Sequence, residues 1–506
     1  MENHILIVLL IPLLVGIFSL FFWGKKRLQQ YTFLVSTFLM LIASGFLLER
    51  VINGGVIVLQ SAGWDAPFGI SLVADLLSAI MVLITAIIGF AVAIYSFSEI
   101  DSHRIRFGFY PVMNFLVFSV CGAFLTGDVF NLYVWFEMML ISSFVLMVLG
   151  NGKAQVEGTI KYVTINIVAS TFFLAGIGIL YGLTGTLNMA DLAVRLPSVP
   201  KTGLMDMAAI FFFIAFGVKA AVFPLFNWLP ASYHTPPIAV SSFFAGMLTK
   251  VGVYAFIRFF TMIFNHESVF IDNLLLYTAA ATMFFGVLGA AAQYDFRKIL
   301  SFHIISQIGY MIMGLAIGTK LALTGAIFYI IHHIIVKSNL FLIAGVVKKC
   351  TGSFNLKKIG GVYGRYPFLA ILFIISAFSL AGFPPLSGFW AKFIVIKAGL
   401  ETSDYFIVIV ALVVGFLTLY SMTKIWNEAF WKKIPEEYVE DSKSKSVPLS
   451  SIKPMLIPVL MLAGITLFIG LFGESVYNLA SMTAEQLLNP KIYIEAVLGI
   501  DFNLQK

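Results

Sequence analysis

The feature that most constrains this chain is a series of long apolar runs, each about as long as a helix that crosses a lipid bilayer. Hydrophobic residues make up 60% of the 506 positions and charged residues only 11%, whereas roughly a quarter of the residues of soluble domains are charged. Because lipid offers no partner to backbone N–H and C=O groups, a spanning segment must bond to itself, and a helix of about 20 residues does so. The sequence therefore predicts an all-α polytopic membrane protein.

Fourteen such runs can be identified. They lie near residues 5–23, 31–48, 72–96, 110–126, 129–149, 160–181, 205–228, 236–260, 274–292, 299–317, 321–347, 368–396, 405–425 and 455–473. The first run is too long for a signal-peptide core of about 7–15 residues and lacks a small-residue cleavage site, so we interpret it as a retained span. The longest polar stretch, from about Trp426 to Pro454, is too short for a catalytic domain outside the membrane.

The distribution of basic residues predicts how the helices are oriented. If the N-terminus is placed outside, most of the 32 Lys and Arg residues fall in the inner loops, as the positive-inside rule requires. An even number of spans then places the C-terminus outside as well. The net charge of +7 reflects these loops and does not indicate a nucleic-acid partner.

The sequence contains no motif that indicates a disulfide-bonded, metal-binding or nucleotide-binding protein. The two cysteines, Cys121 in an apolar run and Cys350 in a predicted loop, provide neither a disulfide framework nor a metal spacing. No CxxC, GxGxxG, P-loop or HExxH motif occurs, so we expect no cofactor and assign no metal ligand.

Two runs contain proline well inside their length, Pro224 in the seventh and Pro384-Pro385 in the twelfth. Proline removes a helical hydrogen bond and clashes with the preceding turn. Such breaks are tolerated in lipid where protein or a wet cavity satisfies the freed carbonyls. Each break lies within eight residues of a lysine, Lys219 or Lys392, and paired broken helices are typical of inverted repeats with a site near mid-membrane. A kink that only improves packing is the alternative.

The ionisable residues inside the spans are the candidates for chemistry. Glu137 lies near the middle of the fifth run, and Lys219, Lys250 and Lys337 near the middle of the seventh, eighth and eleventh. A charge at a helix centre costs about 2.5–3.5 kcal/mol, so each one needs compensation. Burial favours the neutral amine of lysine and a nearby carboxylate favours the ammonium. We therefore expect Glu137 and Lys219 to form a pair that acts as a proton switch.

The remaining candidates are His333, which shares a helix face with Lys337 four residues later, and Lys392 beside the second break. His332 points about 100° away, and we expect it to be a packed, satisfied histidine. Asp75 and His303, near the starts of the third and tenth runs, are secondary candidates that serve either as lateral members of the path or as interfacial groups. Arg258 and Lys397, at helix ends, are expected either to snorkel or to form fixed ion pairs.

At these residues the sequence resembles the antiporter-like subunits shared by respiratory complex I, membrane-bound hydrogenases and the Mrp multisubunit Na+/H+ antiporters. The resemblance covers nearly the whole chain and is clearest over about residues 70–425. Its motifs are the Glu137 run NLYVWFEMMLISSF, FGVKAAVFPLFNWLP, HTPPIAVSSFFAGMLTKVGVYAF, QYDFRKILSFHIISQIGYM, HHIIVKSNLFLIAG and AGFPPLSGFWAKF. The sequences of these motifs are most similar to those of Mrp D subunits. The complex I subunit that is most similar to this chain has glutamate at the position that Lys392 occupies here.

The resemblance implies fourteen helices with two inverted five-helix repeats and broken helices 7 and 12. It divides the chain into helices 1–3 (1–109), a first repeat of helices 4–8 (110–260), a second repeat of helices 9–13 (274–425), and a cytoplasmic loop, helix 14 and tail (426–506). It also implies a mid-membrane hydrophilic axis built from Glu137, Lys219, Lys250, His333, Lys337 and Lys392.

The function implied is that of a secondary transporter subunit, not an enzyme, which couples proton flow to Na+ movement in the cell membrane together with other subunits of a hetero-oligomeric complex. A proton-pumping subunit of an NADH–quinone oxidoreductase or a membrane hydrogenase is the alternative, and a structural scaffold is the third hypothesis. Lys392 favours the first over the second, and the mid-membrane charges argue against the third.

Overall fold

The computed structural model describes residues 3–150, 152–200, 203–264, 269–438 and 448–499. Within these ranges, eleven helices are long and apolar enough to cross a membrane, and three shorter apolar helices cover His4–Leu20, Phe109–Leu125 and Pro367–Ala381. Together they coincide with the fourteen predicted runs. The prediction of an all-α polytopic membrane fold is therefore confirmed.

The first six spans are single helices, with bounds Asn3–Leu20, Lys26–Gly54, Leu76–Glu99, Phe109–Leu125, Val129–Val148 and Lys153–Thr184. The seventh span is divided into the helices Gly203–Ala220 and Trp228–Ser232. The eighth span consists of the helix Ile238–Phe243, the π-turn Phe244–Leu248, the helix Thr249–Arg258 and the π-turn Phe259–Ile263. The ninth to eleventh are Val269–Ala292, Phe296–Ile317 and Lys320–Thr351. The last three are Pro367–Ala381 with Ser387–Glu401, Tyr405–Ile425 with the π-turn Trp426–Trp431, and Leu449–Leu471.

Short elements connect the spans. They are the helices Ser102–Arg106, Met189–Arg195, Val362–Arg365, Gly473–Leu488 and Pro490–Leu498 and the 3₁₀ turns Ser61–Gly63, Leu196–Ser198, Leu356–Lys358 and Glu436–Tyr438.

A β-hairpin precedes the third span, and the sequence analysis did not predict it. Strand β1 (Ile57–Gln60) pairs antiparallel with β2 (Ser71–Ala74), so the residues expected to open the third span are extended. The helix begins only at Leu76 because Asp75 caps it, accepting a hydrogen bond from the Ser78 N–H at 2.9 Å. An N-cap side chain satisfies a donor that has no partner inside the helix, and this fixes the boundary between strand and helix.

Two sets of matching features mark the inverted repeats. Asp128 caps the fifth span and forms a β-bridge with Asn188, and Asp295 caps the tenth span and forms a β-bridge with Asn355. Between the members of each bridge lies a span of 32 residues, the sixth in one case and the eleventh in the other. Because the two sets are five spans apart, they run in opposite directions through the membrane, as inverted repeats require.

The C-terminal helices pack against the end of the bundle that carries the β-hairpin. The Leu76 N–H donates to the side-chain carbonyl of Gln486 at 2.9 Å, and Gln60 donates to the carbonyl of Val497 at 3.2 Å. These bonds attach the C-terminal helices to the hairpin and the third span. The predicted outside location of both termini concerns residues 1–2 and 500–506, which lie outside the described ranges.

Candidate functional site

Four lysines lie within the bundle instead of reaching its surface. Lys219, Lys250, Lys337 and Lys392 are 5%, 0%, 0% and 6% exposed, which leaves no room for their ammonium groups to extend to a water interface. Lysines that snorkel keep the head group wet. The burial therefore excludes snorkelling for all four, and each must be accommodated by the protein interior.

Glu137 and Lys219, which we expect to act as a proton switch, are not in direct contact in the structure. The Glu137 carboxylate accepts a hydrogen bond from Ser170 of the sixth span. The Lys219 ammonium has no hydrogen-bond partner among the described residues and lies 5.5 Å from the ring centroid of Phe136. Glu137 acts on Lys219 electrostatically without contact. The spacing of charges in the sequence reveals neither the serine nor the aromatic ring.

The seventh span is broken directly after Lys219. Its first half ends at Ala220, and Pro224 lies in the turn that follows. Side chains satisfy the backbone groups released there, since Trp228 donates to the carbonyl of Val218 at 3.0 Å and the Phe223 N–H donates to Thr282 at 2.9 Å. The predicted break is confirmed, and it leaves Lys219 at the C-terminal end of a half-helix, where the helix dipole favours a cation.

Lys250 is held by a π-turn in the eighth span. Its ammonium donates to the carbonyl of Ala245 at 2.6 Å and to the Thr249 hydroxyl at 3.2 Å. Ala245 belongs to the π-turn Phe244–Leu248. Such turns disturb the regular helical bonding and are frequent at functional sites, and here the disturbed turn supplies the acceptor that a buried lysine needs.

The eighth and eleventh spans bring the two repeats together. Ser242 donates to the carbonyl of Ser338 at 3.0 Å, and Ser338 donates back to the carbonyl of Ser242 at 3.1 Å. Lys337 lies next to this contact, is fully buried, and has no hydrogen-bond partner among the described residues. Lys250 acts electrostatically on it, so the charges of the two halves influence each other across this contact.

The two histidines of the eleventh span have different surroundings. His333 lies one turn before Lys337 and has no partner on either ring nitrogen within the described ranges. His332 was expected to be satisfied by packing, but it bonds through Nδ1 to the Ser387 hydroxyl at 2.7 Å while its Nε2 is unpartnered among the described residues. Ser387 begins the second half of the twelfth span, so His332 is connected to the second break.

At that break, a short hydrogen-bonded chain joins the two half-helices. The Ser387 hydroxyl lies 2.8 Å from that of Ser379, which also accepts from the Gly388 N–H at 3.2 Å. A Cβ atom at Gly388 would collide with the Ser379 carbonyl and contact His332, so only glycine allows this approach. The chain therefore leads from His332 across the break.

Lys392 occupies the other side of the same break. Its ammonium donates at 2.8 Å to the carbonyl of Ala381, the last residue of the first half-helix, and lies 5.3 Å from the ring centroid of Tyr310. A cavity of about 330 Å³, lined by Lys392 and by mainly apolar residues such as Phe389 and Phe416, opens beside it. The sequence predicted the break.

Two secondary candidates have polar partners of their own. His303 is fully buried and bonds through Nε2 to Ser421 at 2.5 Å. Asp75 accepts from Arg258 in a buried ion pair, which is one of the two alternatives expected for Arg258. The Arg258 guanidinium also lies 5.1 Å from the ring centroid of Tyr493 in the C-terminal helix. The ion pair thus connects three separate elements at the end of the bundle that carries the β-hairpin.

One acidic group was missed. Glu99 ends the third span, and its two carboxylate oxygens accept from the backbone N–H groups of Ile238 and Ala239 at 2.5 and 2.7 Å. In the sequence it stands next to the charged loop after the third run and resembles an ordinary interfacial residue. Glu99 has a structural role only because the start of the eighth span lies beside it in the fold.

The described residues contain no group of three or more His, Cys, Asp or Glu side chains placed to hold a metal ion. Cys121 and Cys350 are both buried and unpaired, and Cys350 belongs to the eleventh span instead of the predicted loop. The chemistry that these groups support is proton transfer between buried amines, imidazoles and a carboxylate.

Comparison with known proteins identifies chains of the same kind. Residues 126–418 match the family model described as NADH:quinone oxidoreductase/Mrp antiporter, TM. The D subunit of the Na(+)/H(+) antiporter of Alkalihalophilus pseudofirmus is 47% identical over 98% of this chain and 100% of that protein, and the D subunit from Bacillus subtilis is 41% identical with the same coverage. A chain in the structure of the Mrp complex from Dietzia sp. is 31% identical, with a TM-score of 0.90 over 98% of this chain and 99% of that one.

Proposed function

The chain belongs to the NADH:quinone oxidoreductase/Mrp antiporter transmembrane family, and we propose that it is the proton-translocating subunit of a multisubunit Na+/H+ antiporter. The observation that carries the proposal is the burial of four lysines in the interrupted and central spans, at 0–6% exposure. A sequence retains ionisable groups at such cost in lipid mainly where they serve transport.

The path begins at Glu137 and continues through Lys219, Lys250, His333 and Lys337 to Lys392. When Glu137 is protonated, Lys219 loses its counter-charge and passes its proton onward, because a buried ammonium without a counter-charge is costly. Lys250 and Lys337 influence each other across the contact between the two repeats. At this contact a proton crosses from the first repeat to the second.

Lys392 is the exit group in this account. Its ammonium rests on the last carbonyl of a broken half-helix, beside a cavity of about 330 Å³. His332, Ser387 and Ser379 provide hydrogen-bonding groups from the eleventh span to the same break. A group placed at a break can release its proton to one side when the half-helices move apart.

The setting of this activity is the cell membrane, with both termini outside and with other antiporter subunits as partners. The loops rich in lysine and arginine on the opposite side support this orientation. The names of the two antiporter relatives and of the Mrp complex support the assembly. A redox complex is the alternative, and purification distinguishes the two, because redox partners would bring flavin and iron–sulfur absorbance.

The experiment that tests the proposal compares Glu137→Ala and Lys219→Ala in everted vesicles that carry the whole complex. Each is expected to abolish Na+-dependent proton exchange, because the switch needs both groups. Lys320→Ala is the matched control, since Lys320 is half exposed and pairs at the surface with Glu485 at 2.8 Å. Normal exchange by either test variant, with complex abundance equal to that of the control, would refute the proposal.

A further inference from the structure

A second cavity, which is lined by polar residues, lies near the inner ends of the third and eleventh spans, away from the buried lysines. It encloses about 400 Å³, and four basic residues line it, Arg104, Arg297, Lys348 and Lys349, together with a single acid, Glu99. The proposed proton path uses none of these groups. The excess of positive charge needs its own explanation.

An aromatic ring organises the cations on one wall. The guanidinium carbon of Arg297 lies 3.8 Å from the ring centroid of Phe354, and the ammonium of Lys348 lies 5.0 Å from the same centroid. A cation is attracted to the face of an aromatic ring at such distances. Phe354 therefore holds two like charges close together without neutralising either of them.

The neighbouring acids leave positive charge uncompensated. Both oxygens of Glu99 already accept backbone hydrogen bonds from the start of the eighth span. Arg104 pairs with Asp101, and Arg297 has only a long contact of 4.0 Å to Asp295.

Further donors in the cavity have no acceptor. Lys348 and Lys349 are exposed and form no ion pair within the described residues. The Nε atoms of Arg104 and Arg297, by contrast, are buried without a hydrogen-bond partner among those residues. Buried donors of this kind are normally satisfied, so the geometry calls for a bound acceptor with negative charge.

We propose that this cavity binds a phosphate group, and that an anionic phospholipid supplies it. A volume of about 400 Å³ accommodates a glycerophosphate head group but not a protein segment, and guanidinium and ammonium groups together are the usual ligands of phosphate. Basic pockets between spans on the inner side of a membrane bind such head groups.

A neighbouring apolar groove indicates that the ligand carrying the phosphate is a lipid and not a free anion. Met455, in the first turns of the fourteenth span, lines the basic cavity. The residues on either side of it, Pro454 and Leu456, line an apolar groove of about 680 Å³ against the twelfth span. A head group in the cavity would thus have an apolar surface for acyl chains at the same helix turn.

The test measures thermal stability of the intact, delipidated complex that contains this chain. Dioctanoyl phosphatidylglycerol, dioctanoyl phosphatidylcholine and sodium phosphate are titrated separately. Phosphatidylglycerol is expected to raise the unfolding midpoint at concentrations where phosphatidylcholine does not. In the double variant Arg297→Gln/Lys348→Gln, half-saturation is expected to need at least about tenfold more phosphatidylglycerol, because two charged donors to the phosphate are lost.

Two further variants make the result decisive. Lys25→Gln/Lys26→Gln removes two lysines from the loop between the first and second spans and is expected to respond like the parent complex. Arg297→Lys/Lys348→Arg keeps both charges and is expected to retain the preference, which separates lost binding from lost folding. Stabilisation by inorganic phosphate alone, abolished in the neutral double variant, would keep the phosphate site and assign it to a free anion. Equal effects of the two lipids, or an unchanged response in the neutral double variant, would overturn the proposal.

Discussion

At the scale of single residues, the buried lysines differ in what holds their charge. Lys250 and Lys392 each donate to a backbone carbonyl, of Ala245 and Ala381, whereas Lys219 and Lys337 have no hydrogen-bond partner among the described residues. An unpartnered ammonium in a low-dielectric interior is costly to keep. The unpartnered lysines are therefore the ones we expect to change protonation most readily, and we expect the bonded ones to hold a proton for longer.

Lys392 provides the residue-scale prediction. If it releases a proton at the exit, Lys392→Ala is expected to stop exchange. Lys392→Arg is expected to be nearly as inactive, because arginine keeps its charge but does not give up its proton. Na+-dependent proton exchange in everted vesicles, at matched amounts of complex, measures both. An active arginine variant would leave Lys392 as a fixed electrostatic charge.

Sequence reasoning identified these residues because charge inside an apolar run is conspicuous, but it did not identify their partners. It did not reveal that Ser170 lies next to Glu137 and that Phe136 lies next to Lys219. The link from His332 to Ser387 was also missed. Neutral side chains on other spans supply these contacts, and the order of residues in the chain does not show which spans are neighbours.

At the scale of secondary-structure elements, interruptions of the helices explain where the charges can be tolerated. Lys219 ends a half-helix, Lys392 rests on the last carbonyl of another, and Lys250 rests on a π-turn. Each interruption exposes the negative end of a helix dipole or an additional carbonyl. The prolines predicted two of these sites, whereas the π-turn Phe244–Leu248 contains no proline and had no sequence signature.

The buried pair of Asp75 and Arg258 gives a prediction at this scale. It connects the start of the third span with the eighth, next to Tyr493 of the C-terminal helix. Asp75→Ala leaves Arg258 uncompensated and removes a helix cap, so we expect a loss of about 3–5 kcal/mol in the free energy of unfolding. The thermal midpoint of the purified complex reports it.

The exposed pair of Lys320 and Glu485 is the matched control, because both side chains are more than half exposed. Lys320→Met is expected to cost no more than about 1 kcal/mol. Equal shifts in the thermal midpoint for Asp75→Ala and Lys320→Met would show that the buried pair does not hold this end of the bundle together.

At the scale of the whole molecule, two inverted repeats meet where the eighth and eleventh spans exchange hydrogen bonds between Ser242 and Ser338. The number of spans and both broken helices could be predicted because hydropathy and proline are local properties of the sequence. The β-hairpin before the third span, the attachment of the tail and the cavity beside Glu99 depend on distant segments meeting. Nothing local in the sequence marks them.

The central claim is that one continuous path runs through both repeats, from Glu137 to Lys392. The most direct test compares Na+-dependent proton exchange in Glu137→Ala, Lys392→Ala and the double variant, in everted vesicles with equal amounts of assembled complex. If the groups act in series, each single variant is expected to be as inactive as the double variant. Single variants that each keep about half of the exchange, with loss only in the double variant, would indicate two independent routes and contradict the claim.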